Sequence, residues 1–220
     1  MKELNKRYLR ELRAHWGRYV ALMIMIILGM YLVVSIAGMA ETTIRGSYEY
    51  NRECNLQDGQ FTTFIPLTDK QLKELSDEYG QIEKLYSMDL VEGDTTLRIF
   101  RLRKEVDLLK LNEGTEPVND TDIVVMNLFA ERNDIHVSDK IVYADTEFTV
   151  TGIGCVPDYN LTVKEFSDMT ADPEHFGIVF VTDDRYDTLL QSSATSGESY
   201  TYAYKLKAGK EAADLKADLQ

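Results

Sequence analysis

The sequence is poor in the side chains that most often carry chemistry. It has two cysteines, Cys54 and Cys155, and no CxxC pair, which excludes a zinc ribbon and a dithiol redox motif. Its three histidines, His15, His136 and His175, are scattered. They lack HExxH or any other metal-ligand spacing and read as surface or helix-end residues. No GxxxxGK[ST] loop occurs, so the chain does not by itself bind and hydrolyse ATP, and neither a GxSxG elbow nor an SxxK pair is present. Basic residues are scarce, 24 Lys and Arg against 37 Asp and Glu, for a formal net charge of −13. Such a surplus makes neighbouring acids such as Asp183-Asp184 unavoidable, and they read as solvated surface or helix caps. "VEGDTT" lacks the spacing of a calcium loop. Nucleic acid is excluded as a partner, because phosphate binding draws on clustered Lys and Arg. No catalytic residue, metal ligand or cofactor site is expected, and the chain reads as a non-enzyme.

The charge is also unevenly placed. Residues 1–18 hold Lys2, Lys6, Arg7, Arg10, Arg13 and Arg18 against Glu3 and Glu11, a net +4, so residues 19–220 carry −17 to give the total of −13. Between them and the acidic body lies the one long apolar run, Tyr19 to Ala40, without a charged side chain. As a helix its 22 residues extend about 33 Å, enough for a hydrocarbon core of about 30 Å. A buried soluble helix of this length would show a polar stripe, and this one does not. Gly38-Met39-Ala40 is a small-x-small pattern that a signal peptidase could accept. Secretory apolar regions run only about 7–15 residues, however, so the reading is a retained transmembrane helix. Six basic residues precede the span and only Arg45 and Arg52 follow closely. That bias puts the N-terminus in the cytoplasm and residues 41–220 outside the cell membrane. Trp16 and Tyr19 fall where an inner aromatic belt would sit.

Within the span, Tyr31, Ser35 and Gly38 recur at i, i+4 and i+7, placing two hydroxyls and a bare backbone on one helical face. Membrane helices use such residues to approach one another, and chance composition is the competing explanation. Before the span, Leu4, Tyr8, Leu9, Leu12 and Trp16 form an apolar stripe, read as an amphipathic interfacial segment or as a merely basic topology signal. Residues 41–55 carry little periodicity and read as a stalk.

Residues 56–220 alternate between strand and helix patterns. "DGQFTTFIP" reads as a strand closed by Pro66. "LTDKQLKELSDEYG" reads as a helix with a Thr68/Gln71 capping box, ended by Gly80. "IEKLYSMDLVEGDTTLRIFRL" predicts two strands around a turn at Glu92-Gly93-Asp94, and "IVVMNLFAERNDI" a strand running into a short helix. "DKIVYADTEFTVTGIG" predicts a hairpin turning at Asp145-Thr146, and "PDYNLTVKEFSDMTADPEH" a long polar loop. "FGIVFVTDDRYDTLLQ" is strand plus helix, "SYTYAYKLK" a strand, and "GKEAADLKADLQ" a helix. Tyr200, Tyr202 and Tyr204 share one strand face, as a sheet-face ladder or a docking surface. The class is α+β: one transmembrane helix, then strand-helix-strand units around a β-rich insertion. Cys54 and Cys155 would face an oxidising space, where a disulfide between them and two buried thiols are both open. A charged helix after the last strand suggests an N-terminal piece of a longer protein.

In order, several phrases resemble the FtsX-like permease subunits of ABC transporters, with a MacB-like periplasmic core domain at 56–220. "LRELRAHWGRYVALMIMIILGMYLVVSIAG" is similar to that family's first membrane helix, and "NLQDGQF" with "LTDKQLKELSDEYGQIEKLY" to its first strand-helix-strand. "LNEGTEPVNDTDIVVMNLFAERNDIHVSDKI" resembles its "eGr.P....Eivl...a......GD.i" block, and "FTVTGIGCVPDY" its "ytVvGiv.sp.y" strand. Gly114 and Pro117 keep their places, Thr115 replaces the usual Arg, and Ser138-Asp139 stands where Gly-Asp is usual. The resemblance implies a non-catalytic membrane subunit that works with a separate cytoplasmic ABC ATPase and a second permease copy. Its outer domain would then serve efflux, lipoprotein release or mechanotransmission, with an extracytoplasmic protein partner in the last case. It also implies a further strand and three more membrane helices beyond Gln220. The competing reading is a single-pass anchored extracytoplasmic binding or sensor protein.

Overall fold

The computed structural model describes residues 13–159, 163–164, 170–192 and 195–219. The chain divides into two compact units, residues 1–49 and 50–220. Helix α1, Trp16–Glu53, makes up most of the first, and its final turn belongs to the second. None of its 38 residues is buried, and large apolar side chains such as Met25, Tyr31 and Val34 stand exposed all round it. It is long and apolar enough to cross a membrane. Apolar surface on every side of a helix is stable in lipid and not in water. The helix continues without a break through residues 41–53. The interfacial stripe expected at Leu4 to Leu12 lies outside the described residues.

The second unit is mixed α+β and holds two sheets. The smaller has three antiparallel-paired strands in the order β1 (Gly59–Thr63), β10 (Tyr200–Leu206), β2 (Gly80–Lys84). Between β1 and β2 runs α2, Asp69–Tyr79, started by the capping box foreseen at Thr68 and Gln71, with both reciprocal bonds present. Gly59 lies directly opposite Tyr204, and a Cβ there would meet the tyrosine ring at 2.7 Å, so only glycine lets that ring lie across β1. Phe61 stacks on Tyr202 with ring centroids 5.2 Å apart, and Tyr86 meets Tyr200 and Tyr202 edge-on. Tyr202 is fully buried and accepts the Leu67 N–H on its hydroxyl. These tyrosines are a packed ladder, with α5, Ala212–Asp218, tied to α2 through the Tyr79 hydroxyl and Asp218.

The larger sheet runs β3 (Ser87–Glu92), β4 (Thr95–Arg101), β9 (Phe176–Val181), β6 (Asp122–Met126), β8 (Thr146–Cys155), β5 (Lys110–Gly114). Strand β7, Lys140–Tyr143, shares the far edge of β8 with β5. Every residue of β6 and β9 is buried, which matches their unbroken apolar runs, because both faces of this sheet are covered. One face packs under α3 (Asn127–Arg132) and α4 (Asp183–Leu190) through Phe129, Tyr186 and Leu189. The other packs Phe100, Val124, Ile178 and Phe180 against Val106 and Val156 of two irregular segments.

Three expectations need correction. Residues 82–102 hold three strands in two sheets, because the chain leaves the small sheet at Leu85-Tyr86 before the β3–β4 hairpin forms. The β7–β8 turn is centred on Ala144-Asp145, one residue earlier than expected, with φ of 46° and 60° at the two positions. That double left-handed geometry suits a two-residue hairpin. Strand β5 was not foreseen. Ser138 adopts φ 82°, so the position where the resembled family has glycine keeps a glycine-like backbone here.

Candidate functional site

The place where chemistry and mechanics concentrate is the end of α1, within the second unit. Asn55 takes a left-handed conformation, φ 49°. Leu56 N donates to Asn51 O at 2.8 Å and Asn55 N to Arg52 O at 3.3 Å. This is a Schellman ending with asparagine in the position usually held by glycine. The carbonyls beyond it are taken by other elements: Leu108 N donates to Cys54 O at 2.7 Å, Asp107 N to Asn55 O at 3.2 Å, and Lys205 Nζ to Leu56 O. The Asn55 amide donates to Gln81 Oε1 at 2.8 Å and to Glu105 O at 2.6 Å. A helix end buried without such partners would be costly.

Most of these partners come from an irregular strap, residues 102–109, between β4 and β5. Glu83 of β2 grips the strap by accepting three successive amides, those of Lys104, Glu105 and Val106. The strap is pinned to the short turn that follows β8, Pro157–Tyr159, by a buried ion pair. Arg103 meets Asp158 in a two-pronged contact at 2.6 and 3.0 Å, the two side chains 1% and 4% exposed. The same guanidinium donates to Asp107 O at 3.1 Å and lies over the Phe100 and Phe180 rings. Burial works against its charge, but Asp158 and Asp107 outweigh that and hold it above the usual arginine range.

Asp107 is the unbalanced member. Its backbone is left-handed, φ 53°, and it is fully buried. Oδ1 accepts Gln57 N at 2.9 Å, while Oδ2 has no partner among the described residues. Burial, then the Asp158 carboxylate, push its acid up from 3.8 to about 6, against the pull of the Gln57 N–H, Arg103 and Lys205. Beside it, Lys110 of β5 reaches back to Glu53 in the last turn of α1 and lies over the Tyr50 ring.

The structure brings Cys54 and Cys155 into this joint, both as free thiols, the first buried and the second half-exposed. Tyr31, Ser35 and Gly38 lie on α1 and are all exposed. Thr42, which the sequence reading passed over, extends their face by a further turn and donates its hydroxyl to Gly38 O at 2.8 Å. The buried trio Arg103, Asp107 and Asp158 was also missed, since Asp158 is distant in sequence from the other two and both aspartates are hidden among 37 acids. Among the described residues no group of three or more His, Cys, Asp or Glu is placed to hold a metal ion.

No family model matches this chain, and no curated protein does. Among solved structures, the chain is similar to the periplasmic region of MacB from Actinobacillus actinomycetemcomitans, at 13% identity over 79% of this chain and 86% of that one, TM-score 0.41. It is also similar to the extracellular domain of the noncanonic ABC-type transporter YknZ from Gram-positive bacteria, at 13% identity over 73% and 94% of the two chains, TM-score 0.38.

Proposed function

We propose that the chain is part of an FtsX/MacB-type permease subunit, with its N-terminus in the cytoplasm and residues 41–220 outside. A separate ABC ATPase and a second permease copy complete the machine. ATP-driven movement of the membrane helices is passed to the outer body, for efflux, lipoprotein release or mechanotransmission. The observation that carries this reading is an unburied apolar helix whose last turn is capped by bonds from β2, β10 and the strap. A lipid anchor alone needs no such joint, whereas a helix that transmits displacement does. The sequence phrases that resemble this family, and the lack of a nucleotide loop, point the same way.

Gentle solubilisation of full-length protein, followed by identification of what co-purifies, tests it: a P-loop ATPase is expected. Recovery of extracytoplasmic ligands alone would support a single-pass anchored binding or sensor protein. That second reading is favoured by Phe64 and Ile65, 104% and 76% exposed after β1. Protease added to intact cells should digest residues 56–220, and their full protection would overturn the orientation.

A further inference from the structure

Lys110 and Cys155 are directly opposed partners in the antiparallel β5–β8 pair, so their side chains leave the same face of the sheet. That face meets the last turn of α1, because the Lys110 ammonium reaches Glu53 and the Tyr50 ring. Two residues upstream on the same segment, Leu108 N holds Cys54 O at 2.7 Å. The Cys155 thiol lies 3.8 Å from Lys110 O and 3.7 Å from Asn112 Oδ1. The buried Tyr50 hydroxyl faces both sulfurs, and each helps to push its pKa up, after burial itself. The two cysteines therefore meet at the Tyr50 hydroxyl, the first capping α1 and the second ending β8.

We propose that Cys54 and Cys155 are a disulfide pair, joined by an extracytoplasmic oxidant that itself carries a disulfide, and that the bond staples the last turn of α1 to the large sheet. The compartment rests on the topology proposed above; the pairing rests on the geometry of the joint. Cys155, the more exposed thiol, reacts first: its thiolate attacks the oxidant's S–S bond, forms a mixed disulfide and releases one oxidant sulfur as thiolate. Cys54 thiolate then attacks Cys155 Sγ and expels the second. The pair loses two protons and two electrons, and the oxidant's disulfide becomes a dithiol. Burial holds the Cys54 thiol up, with Cys155 adding to this and Lys110 opposing it, so the second step should quicken as pH rises.

The test uses the purified full chain in detergent, treated with oxidised glutathione, acid-quenched, denatured and labelled with maleimide-polyethylene glycol. Reduced protein should take two labels, and oxidised protein none, while remaining monomeric on a non-reducing gel. Cys54→Ser should end with glutathione on Cys155, whereas Cys155→Ser should keep the buried Cys54 reduced and free to take one label. The oxidised wild type should melt roughly 5–10 °C above the reduced form, since the bond closes a loop of about 100 residues. Two persistent labels, glutathione on both cysteines of the wild type, or a covalent dimer would overturn the pairing; an unchanged melting temperature would overturn the stapling. Alkylation in intact cells separates the two premises. Thiols found reduced there, in protein that closes its disulfide when purified, would sink the topology and leave the pair standing.

Discussion

Asp107 puts a carboxylate where its ionised form is poorly served, with one oxygen unpartnered and Asp158 nearby. Its folded-state pKa is raised to about 6 from 3.8. The native state therefore holds its proton more tightly than the unfolded chain. The stability this group contributes is complete below about pH 4 and is lost as pH rises through about 6. Asp107→Asn keeps the Gln57 contact and tolerates the left-handed backbone. It should be more stable than wild type by about 1–3 kcal/mol at pH 7.5, an advantage that fades toward pH 4. Urea unfolding followed by far-ultraviolet circular dichroism at the two pH values measures this, and an advantage of equal size at both would exclude it. Ser138 is exposed and strained at φ 82°, so Ser138→Gly relieves strain without removing packing. It should stabilise by about 0.5–1 kcal/mol, read as a small rise in thermal midpoint.

At the scale of elements, the ending of α1 separates two contributions at Asn55: a backbone conformation, and an amide that donates to Gln81 and Glu105. Asn55→Gly keeps the first and loses the second; Asn55→Ala loses both. The alanine variant should cost about 2–3 kcal/mol and the glycine variant about 1 kcal/mol, in unfolding of the outer unit. Equal losses would mean that the left-handed turn contributes nothing. Elements of this kind differ in how well the sequence announces them. The Thr68 capping box, the buried runs of β6 and β9, and the strand–helix succession at 176–190 were readable, because local chemistry alone specifies each. Strand β5 was not. Its burial alternates little, with most of its residues exposed, and it is held by pairing with a distant β8 through a bulge at Leu111/Glu113. The strap is silent for the same reason: its order comes from Glu83, Asp158 and the end of α1. None of these is its neighbour in sequence.

For the whole molecule, the decisive contrast lies between a body with two buried clusters and a helix with no buried residue at all. The helix must find its partners in lipid or in other spans. The face carrying Tyr31, Ser35, Gly38 and Thr42 offers a second helix hydroxyls and a bare backbone at Gly38, the small and polar side chains that membrane helices use to approach one another. Tyr31→Leu should weaken association between spans by about 0.6–2 kcal/mol while leaving the outer unit's melting unchanged. Crosslinking yield in membranes, set beside calorimetry of the outer unit, reads the two separately; an unaltered yield would remove the packing role.

The strap holds Cys54 and Asn55 through its own amides, at Leu108 and Asp107, while Arg103 and Lys110 fasten its two ends. Such a linkage is a ruler: it measures chain length and is largely indifferent to which side chains occupy Lys104 or Glu105. A single residue deleted there would shift both amides out of reach together, whereas a conservative exchange at either position would pass almost unnoticed.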